Sequence, residues 1–210
     1  MAEAGNYESR LIRDGGFAMA ETGRFFEEDS KVHRTLRRVT AKLDGLDIPY
    51  ALAGGMALNL HGYSRTTDDV DLLVTGESLQ KVHEALDGLG YVPPFTGSKH
   101  LRDTTDGVKI EFLTTGGFPG DGKPKPVSFP DPRDAAVEIA GLRVLALPRL
   151  IELKLASGMS NAGRLRDLAD VQELARVLKL RPGFAEELDA SVREKFRELV
   201  MGLEEDWADG

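Results

Sequence analysis

The chain has 210 residues, 41% hydrophobic and 30% charged, with a formal net charge of −8, no cysteine and four histidines. This is the balance of a small globular protein. The missing cysteine excludes disulfides, thiolate metal sites and a cysteine nucleophile, and the acidic surplus argues against broad sequence-independent nucleic-acid binding.

In chain order, residues 1–29 hold helix-compatible stretches broken by Gly15-Gly16 and Gly23, which predicts a loosely docked N-terminal arm. A helix is predicted over 30–44. It places Arg34, Arg37 and Arg38 on one face opposite Leu36 and Val39; a solvated face accounts for them, and contact with RNA is the alternative. Next come a strand over 48–53, a helix over 55–62, a strand over 69–75, a helix over 78–89 and strands near 98–103, 107–114 and 142–146. Helices then dominate, over 148–157, 164–180 and 183–202. The last carries Phe184, Leu188, Val192, Phe196 and Val200 at steps of four, a core stripe whose partner face is Leu168, Val171, Ala175 and Leu178. The pattern predicts an α/β (α+β) fold: a mixed sheet flanked by helices over 30–146, with a C-terminal helical region, 147–210, packed on it. No stretch approaches the roughly 20 apolar residues that span a bilayer, and the opening Met1-Ala2-Glu3-Ala4-Gly5-Asn6 lacks a leader pattern, so a cytoplasmic location and no membrane partner are expected.

The chemistry concentrates between residues 48 and 72. The apolar strand ending at Ala53 meets Gly54-Gly55 and a helix, and a glycine turn at a helix start lets a phosphate approach backbone N–H groups. Arg65-Thr66-Thr67-Asp68-Asp69-Val70-Asp71-Leu72 follows. In a strand Asp69 and Asp71 project to one face while Val70 and Leu72 pack behind. Two carboxylates sharing one small space call for a hard cation, and Mg²⁺ suits oxygen ligands at that spacing. A third carboxylate would complete a site holding two ions roughly 3.5–4 Å apart. Glu111 is the choice, because Val108, Ile110 and Phe112 face a core and Glu111 the other side; Asp103 and Asp106, flanking a turn at Gly107, are weaker ones.

Other motifs are thin. Residues 117–123 fit the first positions of a P-loop, but Pro124 stands where Ser or Thr is needed and no helix can start there, so 116–132 is read as a long mobile loop near the substrate. His33, His61, His83 and His100 show no metal-ligand spacing, and only His61, at the end of the glycine-led helix, is placed near the site. Asp167 and Asp170, three apart on a helix, can pair with Arg164 or Arg166.

The Gly-Gly turn, the Arg-x-Thr-x-Asp-x-Asp run and the later strand acid resemble the nucleotidyltransferase superfold of DNA polymerase β, and within it the bacterial AbiEii-type toxins. The likeness covers about residues 45–180, including Phe129-Pro130-Asp131-Pro132, Leu150 to Ala156 and Arg164 to Val171. It implies that Gly54 and Gly55 form the triphosphate loop, that Asp69, Asp71 and Glu111 hold the metal, and that Arg65 and Thr67 support the loop or touch phosphate. It also places Lys154 near the nucleotide phosphates and makes Asp167 and Asp170 a second acidic motif. Two departures stand out: Glu111 fills a position often taken by Asp, and Met56 follows the glycines where antibiotic adenylyltransferases often carry Trp. The implied activity is Mg²⁺-dependent transfer of a nucleoside monophosphate from an NTP to an acceptor: tRNA or another RNA, in a toxin–antitoxin pair with an antitoxin protein partner, or alternatively a small molecule such as an antibiotic. A non-catalytic binding module retaining the fold is the reading from another class, against which both aspartates count.

Overall fold

The computed structural model describes residues 7–203, so 1–6 of the predicted arm and 204–210 of the predicted C-terminal region lie outside the described residues. The arm is two helices, α1 (Tyr7–Arg13) and α2 (Gly15–Phe26). Gly15 and Gly16 open α2 instead of breaking it, because Asp14 caps it by accepting from the Phe17 N–H at 2.9 Å. The arm is also firmly docked. Glu21, 2% exposed, accepts from the Tyr7 hydroxyl at 3.2 Å and from the Lys31 N–H at 3.0 Å, and Tyr7 and Phe25 join the core.

Ser30 caps α3 (Lys31–Gly45), whose buried stripe is Val32, Thr35, Leu36, Val39, Thr40 and Leu43. The chain continues through β1 (Ala51–Leu52), α4 (Gly54–Leu60), β2 (Asp69–Val74), α5 (Gly76–Leu86), β3 (Tyr91–Val92), β4 (Leu101–Asp103) and β5 (Lys109–Thr114). After a long loop come α6 (Pro132–Ala135), β6 (Ala136–Ile139), β7 (Leu142–Leu145), α7 (Leu147–Ser160), α8 (Leu165–Leu178) and α9 (Ala190–Met201). Among the described residues the strands form one seven-stranded mixed sheet, ordered β3-β4-β5-β2-β1-β7-β6. The expected mixed sheet flanked by helices is therefore what forms. β2 runs parallel to β5 and β1 parallel to β7, while the remaining neighbours are antiparallel. β1 is shorter than the predicted 48–53 strand because the Ile48 N–H turns back to the Leu43 carbonyl at 2.9 Å. The short strands β3 and β6 were not anticipated.

One predicted helix is interrupted. Residues 183–202 divide into a 3₁₀ turn, Pro182–Glu187, and α9. Asp189 makes the break: its N–H donates to Glu152 Oε1 at 2.7 Å, and its carboxylate accepts from the Ser191 N–H at 2.9 Å to cap α9. The apolar stripe survives, with Leu188, Val192, Phe196 and Val200 buried and Phe184 packed against them. No helix among the described residues is long and apolar enough to cross a membrane.

Candidate active site

The acidic centre follows from strand alternation on two paired strands. In β2, Val70, Leu72 and Val74 are fully buried, and Asp69 and Asp71 take the opposite face; in β5, Ile110 and Phe112 are buried, and Glu111 faces the other way. Parallel pairing sets Asp71 beside Glu111 and Asp69 beside Lys109. One carboxylate oxygen each from Asp69, Asp71 and Glu111 lies within 4.8 Å of the others. Burial first, then the charges of Asp69 and Glu111, push the Asp71 carboxyl up to about 8. Burial, with Asp68 next to it, raises Asp69 as well. Crowded oxygen ligands whose ionisation is this costly are a donor set that a hard divalent cation would relieve, so the three residues fit a metal.

Lys109 is a member of this group that the sequence reading missed. Its Nζ is 2.6 Å from Glu111 Oε2 and 3.9 Å from Asp69 Oδ2. Burial alone would lower the lysine's pKa, but the Glu111 hydrogen bond and the neighbouring carboxylates raise it. The signal was available, since Lys109 and Glu111 are two apart on one strand and share a face.

Both glycines have a measurable job here. Gly54 has φ of +58°, and a Cβ on it would fall 1.7 Å from Asp71 Oδ2; a Cβ on Gly55 would fall 2.7 Å from the Thr67 Cβ. Thr67 in turn donates to Asp69 Oδ1 at 3.0 Å. The glycine pair thus lets both aspartates and their supporting threonine close over the start of α4. Asn59 ties this turn together, donating to the carbonyls of Gly55 (2.8 Å) and Arg65 (2.9 Å) and accepting from the Arg65 N–H at 3.0 Å.

A second layer comes from α7 and α8. Lys154 Nζ donates to Asp167 Oδ1 at 2.9 Å and Asp170 Oδ2 at 2.7 Å; Ser157 donates to Asp167 at 2.6 Å. Arg65 grips both oxygens of Asp170, at 2.8 and 3.0 Å. Burial works against ionised Asp167, yet Lys154 and Ser157 hold its carboxyl below the usual range. Asp167 and Asp170 therefore pair with Lys154 and Arg65, and not with Arg164 or Arg166. Two of the three donors of the Lys154 ammonium are taken. Arg164 and Arg166 are exposed at the cleft, and their guanidinium groups make no hydrogen bond or ion pair among the described residues.

All ten predicted site residues except Asp170 line one cleft of about 470 Å³, and Asp170 stands directly behind Lys154 and Arg65. The 116–132 loop contributes Pro119, Gly120 and Phe129 to the cleft wall. It is strapped down rather than loose: Gly120 sits where a Cβ would meet Ser160 and Ser157 of α7, and Lys125 Nζ bonds the Pro119 carbonyl, Asp121 and Ser160. No helix follows Lys123, as the rejected P-loop would need. His61 bonds the Leu145 carbonyl at 2.8 Å, and none of the four histidines lines the cleft. Asp103 and Asp106 are engaged elsewhere. Asp103 accepts from Thr35 (2.9 Å) and Arg38, while Asp106 accepts from Arg38 (2.6 Å) and Arg34 (3.3 Å). These contacts, with Asp29 against Arg34 and Arg37, leave the basic face of α3 neutralised by carboxylates.

A family model described as an uncharacterised nucleotidyltransferase matches residues 20–201. No curated protein matches the chain. Among solved structures, the chain is similar to ANT(2")-Ia in complex with adenylyl-2"-tobramycin, at 16% identity and a TM-score of 0.52, over 79% of this chain and 96% of that one. It is also similar to an antigenic nucleotidyltransferase-like protein from Paracoccidioides brasiliensis, at 16% identity and a TM-score of 0.50, over 80% of this chain and 86% of that one.

Proposed function

The chain belongs to this family of uncharacterised nucleotidyltransferases, and from that membership we propose that it moves a nucleoside monophosphate from an NTP to an acceptor hydroxyl. The observation that carries the reading is the convergence of Asp69, Asp71 and Glu111 within 4.8 Å at the foot of a cleft. In the transfer, the acceptor oxygen bonds the α-phosphorus and the bond to the α–β bridging oxygen breaks. Pyrophosphate leaves with that electron pair, and the hydroxyl proton passes to solvent. Asp69, Asp71 and Glu111 would hold Mg²⁺, in two ions, which supplies acidification of the acceptor hydroxyl and charge compensation for pyrophosphate. The chain's own residues position the reactants. Gly54 and Gly55 keep the turn thin, and Thr67 orients Asp69. Arg65, Asp167 and Asp170 hold Lys154 at the cleft wall with one donor left for phosphate, and Arg164 and Arg166 offer planar forks to the same oxygens.

For the acceptor, the fold neighbour bound to adenylyl-2"-tobramycin supports a small molecule. The motif order that resembles AbiEii-type toxins supports tRNA or another RNA, with an antitoxin partner. The test is incubation with each α-labelled NTP, Mg²⁺, total RNA and small hydroxylated acceptors. Label should leave the NTP in the wild type and not in Asp69→Asn or Asp71→Asn. Absence of label transfer, together with no Mg²⁺-dependent rise in melting temperature on adding NTP, would leave a non-catalytic binding module as the better account.

A further inference from the structure

A second hollow, of about 290 Å³, lies beside the cleft and shares Thr67, Asp68 and Arg166 with it. Its far wall is built by the N-terminal arm, through Tyr7, Leu11 and Phe25. Tyr7 and Leu11 lie on α1, ahead of residue 20 where the family match begins, while Glu21 and Phe25 of α2 lie within it. Two carboxylates reach the hollow. Glu21 is buried and already paired: Arg24 lies 3.0 Å from its Oε1, and the Tyr7 hydroxyl and the Lys31 N–H donate to its Oε2. Asp68 is exposed and makes no hydrogen bond or ion pair among the described residues, although it immediately precedes Asp69 of the acidic centre.

Resting on the nucleotidyl-transfer reading, we propose that this hollow is the acceptor site and that the acceptor is a small hydroxylated molecule bearing an ammonium group. Its volume is at the small end for ligand pockets, which run from roughly 300 to 1,000 Å³. An unpaired carboxylate beside aromatic rings is the environment an ammonium seeks. Arg166, on the wall common to both hollows, serves the anionic NTP, and with Glu21 paired to Arg24 it leaves Asp68 to the acceptor. A polyanion fares badly by comparison. RNA phosphates would meet the uncompensated Asp68, and the arginines of α3 are already paired with Asp29, Asp103 and Asp106. With the ammonium on Asp68 and the apolar face on Tyr7 and Leu11, the hydroxyl enters past Thr67 toward the acidic centre. Its oxygen then takes the α-phosphoryl group as pyrophosphate departs.

The experiment uses the full chain, α-labelled NTPs and Mg²⁺ with glucosamine, galactosamine and 2-aminoethanol, their neutral counterparts glucose, galactose and ethylene glycol, and total RNA. Label is expected on at least one amine, at least tenfold faster than on its neutral counterpart, and not on RNA. Asp68→Asn should erase that preference. Thr22→Trp fills the hollow from an exposed position on α2; it should raise the acceptor KM tenfold or more and leave the NTP-induced melting shift in place. Label on RNA alone, label on none of the amines, or an acceptor KM indifferent to Thr22→Trp would each overturn the proposal. Loss of the NTP-induced shift in the wild type would instead count against the nucleotidyl-transfer reading beneath it.

Discussion

Gly54 and Asp71 compete for one volume: a Cβ on the glycine would stand 1.7 Å from the aspartate's Oδ2. The acidic centre therefore depends on an atom that is missing from the neighbouring strand end. Because φ is +58°, a side chain at residue 54 would also be strained by its backbone.

Gly54→Ala should accordingly cost about 1–2 kcal/mol from backbone strain alone and displace the Asp71 carboxylate. Turnover should fall by orders of magnitude, measured by label release from NTP, alongside a lower melting temperature. Wild-type turnover in Gly54→Ala would show that the Asp71 carboxylate does not depend on the space above Gly54.

The pH dependence of the metal-free protein follows from Asp71. Its carboxyl is pushed up to about 8, above the unfolded value of about 3.9. The native state thus binds the proton more tightly, and the stability this contributes is fully present below about pH 4 and lost as pH rises through about 8. Asp71→Asn removes the penalty. Measured at pH 8–9 without metal, the variant should be more stable than wild type, by about 1–3 kcal/mol once solvent in the open cleft is allowed for. Mg²⁺ should stabilise wild type increasingly over the same pH range, because its ligands must be deprotonated, and should leave Asp71→Asn nearly unmoved.

Glu111→Gln and Asp103→Asn should behave in opposite ways. The first removes a carboxylate from the acidic centre and should lower kcat at least 100-fold with little change in melting temperature. The second loosens a buried carboxylate tied to Thr35 and Arg38, costing about 1–3 kcal/mol while sparing kcat. Denaturant melts and steady-state kinetics on the two variants decide which acid belongs to the site.

Lys154 and the arginines near it should also separate. Lys154→Met leaves Asp167 and Asp170 short of a buried cation, a loss of about 3 kcal/mol. Replacing Arg164 and Arg166 together by Ala should change stability by less than about 0.5 kcal/mol and weaken NTP binding about 10- to 100-fold, the size of lost charged hydrogen bonds. Calorimetric titration with NTP and Mg²⁺ reads the second effect, and thermal melts the first.

Much of the acidic centre was legible because its geometry is local. Asp69, Asp71 and Glu111 follow from alternation within single strands, and the glycines from the turn between strand and helix. What alternation cannot supply is which residues meet across the fold. Helical spacing offers Arg164 and Arg166 to Asp167 and Asp170, whereas the actual partners, Lys154 and Arg65, lie up to 105 residues away in sequence. The break at Asp189 was invisible for a related reason: Leu188 still points inward, so the period of four runs through a helix end unaltered. The arm's docking rests on Glu21, a charged residue whose burial no hydrophobic pattern records.

β1 is only two residues long and is held on one side by β2 and on the other by β7, where Leu52 pairs with Val144. Parallel pairing between residues so distant closes slowly, since a large loop must be ordered before any contact offsets it. During synthesis, the Gly54 turn therefore waits for β7 to emerge, and the partners of Lys154 on α8 arrive later still. A ribosome-bound chain cut short before residue 142 would hold all three acids and yet lack the strand that fixes their glycine turn, so the acidic cleft is among the last parts of the molecule to become real.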